Sequence, residues 1–379
     1  MKQLLTYSLA FLAFYAIHAH SSAQSSLNSL AELEQATAYT SLADAFADAD
    51  NVRVLILKGQ NLEKLPPEIE QLRNLQILDL GLNRLTSLPS QIGKLSNLQV
   101  LDLWGNQLTA LPESIGNLTN LKFIYLDYNA LASLPNSIGK LQYLEALDLE
   151  QNKLTKLPAS IAALNVLKIL DLEGNQLSEL PTNLQGWQQL QVLDLENNKL
   201  TQFPADFPVL PSLEYIYLQG NQFKTLPTVL ATQPRLHFLY LQNNILENLT
   251  AIGQFKSVHW IDVSQNKLNQ IPTEIGQLAD LEVFLCNGNQ LTNLPIGLTQ
   301  MNKLQTLSAE NNQINALPID FTRLPNLKVL NLKKNKLQNL FPDFGNWQYL
   351  RELQLQENLL SNTEKQRIKN SLSQTLVKF

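Results

Sequence analysis

A single 23-residue unit recurs through most of this chain, and its clearest copy is Leu75 to Asn97, LQILDLGLNRLTSLPSQIGKLSN. The unit returns in register at Leu98, Leu121, Leu144, Leu167, Leu190, Leu213 and Leu236, shortens once to restart at Val258, and resumes at Leu281, Leu304, Leu327 and Leu350. With a divergent first copy at Val52 there are fourteen. No unit of this length can bury its own apolar face, so each must stack on the next, and a strict period in this range is the signature of a solenoid.

The first half of each unit reads LxxLxLxxNxL. In Leu98-Gln99-Val100-Leu101-Asp102-Leu103, the leucines at 101 and 103 alternate with Val100, Asp102 and Trp104. A short strand therefore sends leucines inward and the others outward, and equivalent strands pair in parallel. An asparagine follows each strand, from Asn83 to Asn358, with Gln60 in the first copy. Its amide carries both a donor and an acceptor for backbone groups that the turn leaves unpaired. The second half, LPxxIxxL, returns the chain along the other side: proline fixes φ at a turn or short helix start, and Leu111, Ile115 and Leu118 present one apolar helical face. The expected fold is an α/β solenoid, a curved ribbon with a concave parallel sheet and short helical or 3₁₀ segments on the convex side.

These motifs resemble the leucine-rich repeat family, in its 23-residue LxxLPxxIxxL class. This is the type found in Scribble-like and Ras-suppressor-like scaffolds and in bacterial secreted proteins. The resemblance covers residues 52–360. It implies a non-catalytic scaffold that binds a protein or peptide on the concave face.

The ends read differently. Lys2, the apolar run Leu4 to Ile17 and the small residues Ser21-Ser22-Ala23 have the order of a secretory signal, so residues 1–23 are expected to be removed on export to a secreted or periplasmic location. No cysteine stands near that cut to carry a lipid, and no later stretch is apolar enough to span a bilayer. Residues 24–51 are expected to be a partly ordered linker and a helical cap around Thr40 to Ala49, with Leu42, Ala45 and Phe46 on one face. Residues 361–379 should form a second capping helix, with Ser361 or Thr363 at its start and Ile368 and Leu372 inward.

A net charge of -5 and the lack of a basic run argue against nucleic acid as a partner. The single cysteine, Cys286, excludes an internal disulfide and takes an inward leucine position, where it is a buried small hydrophobe. No cofactor is expected.

Outward strand positions carry the information about binding. Aromatics gather at Trp104, Phe123, Tyr125 and Tyr128, and again at Tyr215, Tyr217, Phe238, Tyr240 and Trp260. In a chain only 7% aromatic, adjacent units should bring such rings into contiguous surface of the kind that anchors interfaces. Strands favour aromatics in any case, which is the plainer explanation. Between the groups lie Asp148, Asp171 and Asp194 in one row and Glu150, Glu173 and Glu196 in the next. Like charges at that spacing repel, so a basic partner is favoured. His237 and His259 share one repeat position, flanked in the neighbouring units by Glu214 and Glu282, a ladder able in principle to hold a metal though more simply a solvated charge row. Two alternatives accompany the leading reading. One is a glycan-binding surface or matrix component using the aromatics; the other is a hydrolase using the carboxylate rows, for which no nucleophile or phosphate motif is present. Around Gln233, which takes a leucine position, and Thr250, which takes a proline position, a bend or bulge is expected on the convex side.

Overall fold

A computed structural model describes residues 27–33, 35–318, 321–340, 344, 347 and 349–379. The expected export signal lies outside the described residues. The chain forms two compact units: one runs to Asn175 and includes Asn183–Leu190, and the other comprises Gln176–Thr182 and Gln191–Phe379.

In the first unit the strands Ala38–Tyr39, Val54–Ile56, Ile77–Asp79, Val100–Asp102, Phe123–Tyr125, Ala146–Asp148 and Ile169–Asp171 lie side by side in chain order, all parallel. In the second, Val192–Asp194 is followed in the same manner by eight more strands, the last of them Leu376–Lys378. The register advances by one repeat at each step, so Val100 opposes Phe123 and Asp102 opposes Tyr125. The fold is an α/β solenoid.

The stacking force is visible in one coil. Leu98, Leu101, Leu103, Leu108, Ile115 and Leu118 are fully buried, and each buried leucine or isoleucine contributes roughly 2 kcal/mol. Pro112 ends the descending chain in extended conformation, and Glu113–Asn117 follows as a 3₁₀ turn closed by the Leu118 amide donating to the Ile115 carbonyl. The amide of Asn106 serves two coils. Its Nδ2 donates to the Leu80 carbonyl of the preceding coil at 3.0 Å and to Leu103 at 2.9 Å, while Oδ1 accepts from the Leu85 amide at 3.0 Å. Glycine suits one place where these turns meet: a Cβ on Gly139 would stand 2.2 Å from the Ser160 carbonyl oxygen of the next coil.

The short coil beginning at Leu236 accommodates its missing residue away from the sheet. Strand Trp260–Asp262 keeps register with Phe238–Tyr240, and the loss is taken up where proline is absent, by Ala251 at φ 69° before the curtailed turn Ile252–Gln254. Gln233 is buried in its leucine position. Its Oε1 accepts from the Leu210 amide at 2.7 Å and its Nε2 donates to the Pro208 and Val229 carbonyls. Cys286 is fully buried, and burial pushes its thiol pKa up.

Both ends add more than helices. Ser41 caps Leu42–Ala47, whose Ala45 is buried, and Ser361 caps Asn362–Ser371, which buries Ile368. Beyond each helix on the terminal side, a short strand continues the sheet, Ala38–Tyr39 at one end and Leu376–Lys378 at the other. Residues 27–33, expected in a partly ordered linker, instead contain the short helix Leu30–Leu33 and pack on the outward face of the first unit's strands.

Candidate functional site

In the second unit, parallel pairing puts Tyr215 opposite Phe238 and Tyr217 opposite Tyr240, with Trp260 next to Phe238. The rings meet. Tyr215 and Phe238 stack at 5.1 Å with 9° between planes, and Tyr217 and Tyr240 at 5.1 Å with 11°. Phe238 lies 6.4 Å from Tyr240 and nearly parallel to it, and Trp260 tilts by 44° at 6.5 Å from Tyr240. All five rings are half-buried. Near-parallel rings at that separation are offset, so each covers part of one face of its partner. Burial, with the nearby Tyr215 and Asp262, raises the Tyr240 pKa. Asp262 lies opposite Tyr240 in register, and burial raises its carboxyl above the usual range.

The early aromatic group does not form a comparable surface. Phe123 is only 4% exposed and packs with Ala146, Val100, Tyr125 and Ile169 beneath Leu30 of the N-terminal segment, so it is no free ligand contact as the chain stands. Trp104 lies under the Lys58 ammonium at 5.0 Å. Tyr125 opposes Asp102 on one side and Asp148 on the other, and burial with those carboxylates pushes its phenol pKa well up. Tyr128 alone is well exposed, at 53%, and its hydroxyl donates to Glu150 at 3.1 Å.

The aspartate rows have a local task that periodicity does not reveal. Asp102 Oδ1 accepts from the Trp104 amide, Asp148 Oδ1 from Glu150, and Asp171 Oδ1 from Glu173, each two residues ahead. This is the turn-forming bond typical of aspartate as the strand ends. The charge is costly there. Burial, reinforced by Asp79 and Asp127, raises Asp102 to about 7, and burial with Glu150 nearby raises Asp127 to about 6. Asp148 is also raised, by burial and by Asp171 and Asp127. Glu150 and Glu173 are half-buried in the first unit. Glu196, in the second, is 6% exposed and accepts from Gln219 Nε2, so it is no open charge.

His237 and His259 stand as neighbours, ring centroids 4.8 Å apart. Glu282, on the next coil, accepts from Gln305. Among the described residues, the two rings and the flanking Glu214 and Glu282 do not converge as a three-ligand cluster.

Models of leucine-rich repeats match residues 50–122, 80–147 and 113–176 as a leucine-rich repeat region, and further repeats at 166–187 and 181–223. A leucine-rich repeat protein of Leptospira interrogans is 34% identical, with 90% of this chain and 100% of that one covered at a TM-score of 0.69. The chain belongs to the leucine-rich repeat family. Two more solved structures are similar over about half of their own length. One is the plant peptide hormone receptor RGFR1 in complex with RGF2, at 28% identity and TM-score 0.66 over 86% of this chain and 58% of that one. The other is the Toll and Spätzle complex of Drosophila, at 26% and 0.77 over 88% and 48%. No curated protein matches the chain. Among the described residues no helix is long and apolar enough to cross a membrane.

Proposed function

We propose that this leucine-rich repeat protein is an exported, non-catalytic scaffold that holds a protein or peptide on the strand face of its second unit. Tyr217, Tyr240 and Trp260 are the anchors, with Tyr215 and Phe238 backing them. The observation that carries this reading is the continuous run of rings from Tyr215 to Trp260, each within 6.5 Å of the next. Packed aromatics are rigid and lose little entropy on binding, which is why they dominate interface energetics. Similarity to a receptor solved with its peptide hormone supports a peptide as ligand. Asp262, half-buried and opposite Tyr240 in register, favours a basic residue in that peptide, since a cation beside it would hold its carboxylate ionised.

The polar beginning Lys2, the apolar run to Ile17 and Ser21-Ser22-Ala23 support export.

The test pans a displayed peptide library on the chain. Recovered peptides should bind, and Tyr217→Ala with Tyr240→Ala and Trp260→Ala should weaken that binding at least a hundredfold with the circular dichroism spectrum unchanged. Full binding by the triple variant would reject this placement. Retention on polysaccharide resin, lost in the same variant, would favour the glycan reading, and turnover in a glycoside or peptide hydrolysis screen would reject the non-catalytic one.

A further inference from the structure

The N-terminal segment contacts the first unit in the way a bound peptide contacts its receptor. Ser29 and Glu32 cap each other, with the Ser29 amide donating to Glu32 Oε2 at 2.6 Å and the Glu32 amide to Ser29 Oγ at 3.3 Å. That reciprocal pair sets the short turn Leu30–Leu33 before any tertiary contact is counted. Asn28 is then gripped by two glutamines from adjacent coils. Its amide donates to Gln76 Oε1 at 3.1 Å, its side chain accepts from Gln76 Nε2 at 3.0 Å, and its carbonyl accepts from Gln99 Nε2 at 2.9 Å. Two residues on, Leu30 packs on the cluster of Phe123 and Ala146, which Val100 and Ile169 also contact.

These contacts join parts of the chain 48 and 71 residues apart, so chain connectivity does not enforce them. They read a main-chain amide, a main-chain carbonyl, one carboxamide and one leucine. The fit leaves something over. Gln99 is fully buried, yet among the described residues no donor reaches its Oε1. A buried acceptor left without a donor costs about 1–3 kcal/mol, so a segment with one more N–H there would bind better than residues 27–33 do.

We propose that the strand face of the first unit is a peptide site occupied in cis by residues 27–33. It exchanges that segment for a peptide with an asparagine-like amide two residues before a leucine and an added donor toward Gln99. Tethering gives the resident segment an effective concentration in the millimolar range, enough to exclude weak competitors. The site is separate from the aromatic face of the second unit and stands or falls without it.

The probe is the end-blocked heptapeptide of residues 27–33, LNSLAEL, added at millimolar concentration to the full chain and followed by saturation-transfer NMR. In Leu30→Asp, where a buried charge expels the resident segment, the peptide should bind at least tenfold more tightly than in the unaltered chain. Leu30→Ala should give the same order with a smaller step if the aspartate variant unfolds. Adding Gln76→Ala and Gln99→Ala to either should remove binding. Equal binding to the unaltered and Leu30-substituted chains, or none to a folded Leu30 variant, would overturn the proposal. The triple aromatic substitution should leave every one of these results as it was.

Discussion

The two units share one backbone recipe and differ in what their outward positions carry. In the first, the rows bear Asp102, Asp148 and Asp171 with Phe123 and Tyr125 set among them, and Leu30 covers part of the face. In the second, the corresponding rows bear Tyr215, Tyr217, Phe238, Tyr240 and Trp260. Inward leucines are interchangeable from coil to coil, so they build the support and say nothing about the ligand. Outward residues have no packing duty within their own coil, so two faces of one fold can serve different chemistries.

The most direct way to break this comparison is to remove an outward anchor. Tyr240→Ala alone should weaken peptide binding to the second unit by about thirtyfold, or ~2 kcal/mol, in a fluorescence titration, and leave the heptapeptide result on the first unit unchanged. A loss in both would mean that the faces are coupled.

Next come the shared internal parts, which should respond alike. Asn106→Ala in the first unit and Asn266→Ala in the second each remove an amide that bonds two coils. Each should lower stability in urea by about 3 kcal/mol by leaving buried backbone groups unpaired. Very unequal losses would show that the coils are not equivalent inside. Gly139→Ala should cost about 2 kcal/mol by the same measurement, through overpacking against Ser160.

Acidity should act on the buried acids of the first unit, more gently. A carboxyl whose folded pKa lies above its unfolded value keeps its proton longer in the native state, so stability falls as pH rises between the two. With Asp102 near 7 and Asp127 near 6 against about 3.9 unfolded, the melting temperature should drop from pH 5 to pH 8. Asp102→Asn should flatten that slope. A melting temperature that rises over the interval would contradict the burial assigned to these acids. The smallest expected effect is Ala251→Gly, which relieves a left-handed alanine and should raise stability by about 1 kcal/mol in the same urea titration.

Much of the fold could be read from the letters because a 23-residue period repeats its own instructions. Leu101 and Leu103 point inward, and Asn106 bonds both ways, for reasons present in every copy. Features made once were harder to read. Leu376–Lys378 and Ala38–Tyr39 join the sheet only because an open edge is available to receive them, and no repeat marks them. The stacking of Tyr217 on Tyr240 could be inferred from register, whereas the burial of Phe123 could not. Its cover comes from Leu30, far away in sequence, and the only hint was Ser29-Leu30-Ala31-Glu32, a helix-start pattern in a stretch that otherwise looked like linker. Aspartate rows invited a reading as charge for a partner. Their bonds to the amide two residues ahead show that the residue type also answers to the turn.

Because every asparagine amide is held jointly by neighbouring coils, a coil cannot lose a residue near that amide without stranding groups on both sides. The 22-residue coil after Leu236 obeys this restriction: Asn244 and Asn266 keep their bonds, and the gap falls beside Ala251 on the opposite flank. Insertions and deletions tolerated in chains of this design should therefore collect on that flank, while the strand side changes by substitution alone.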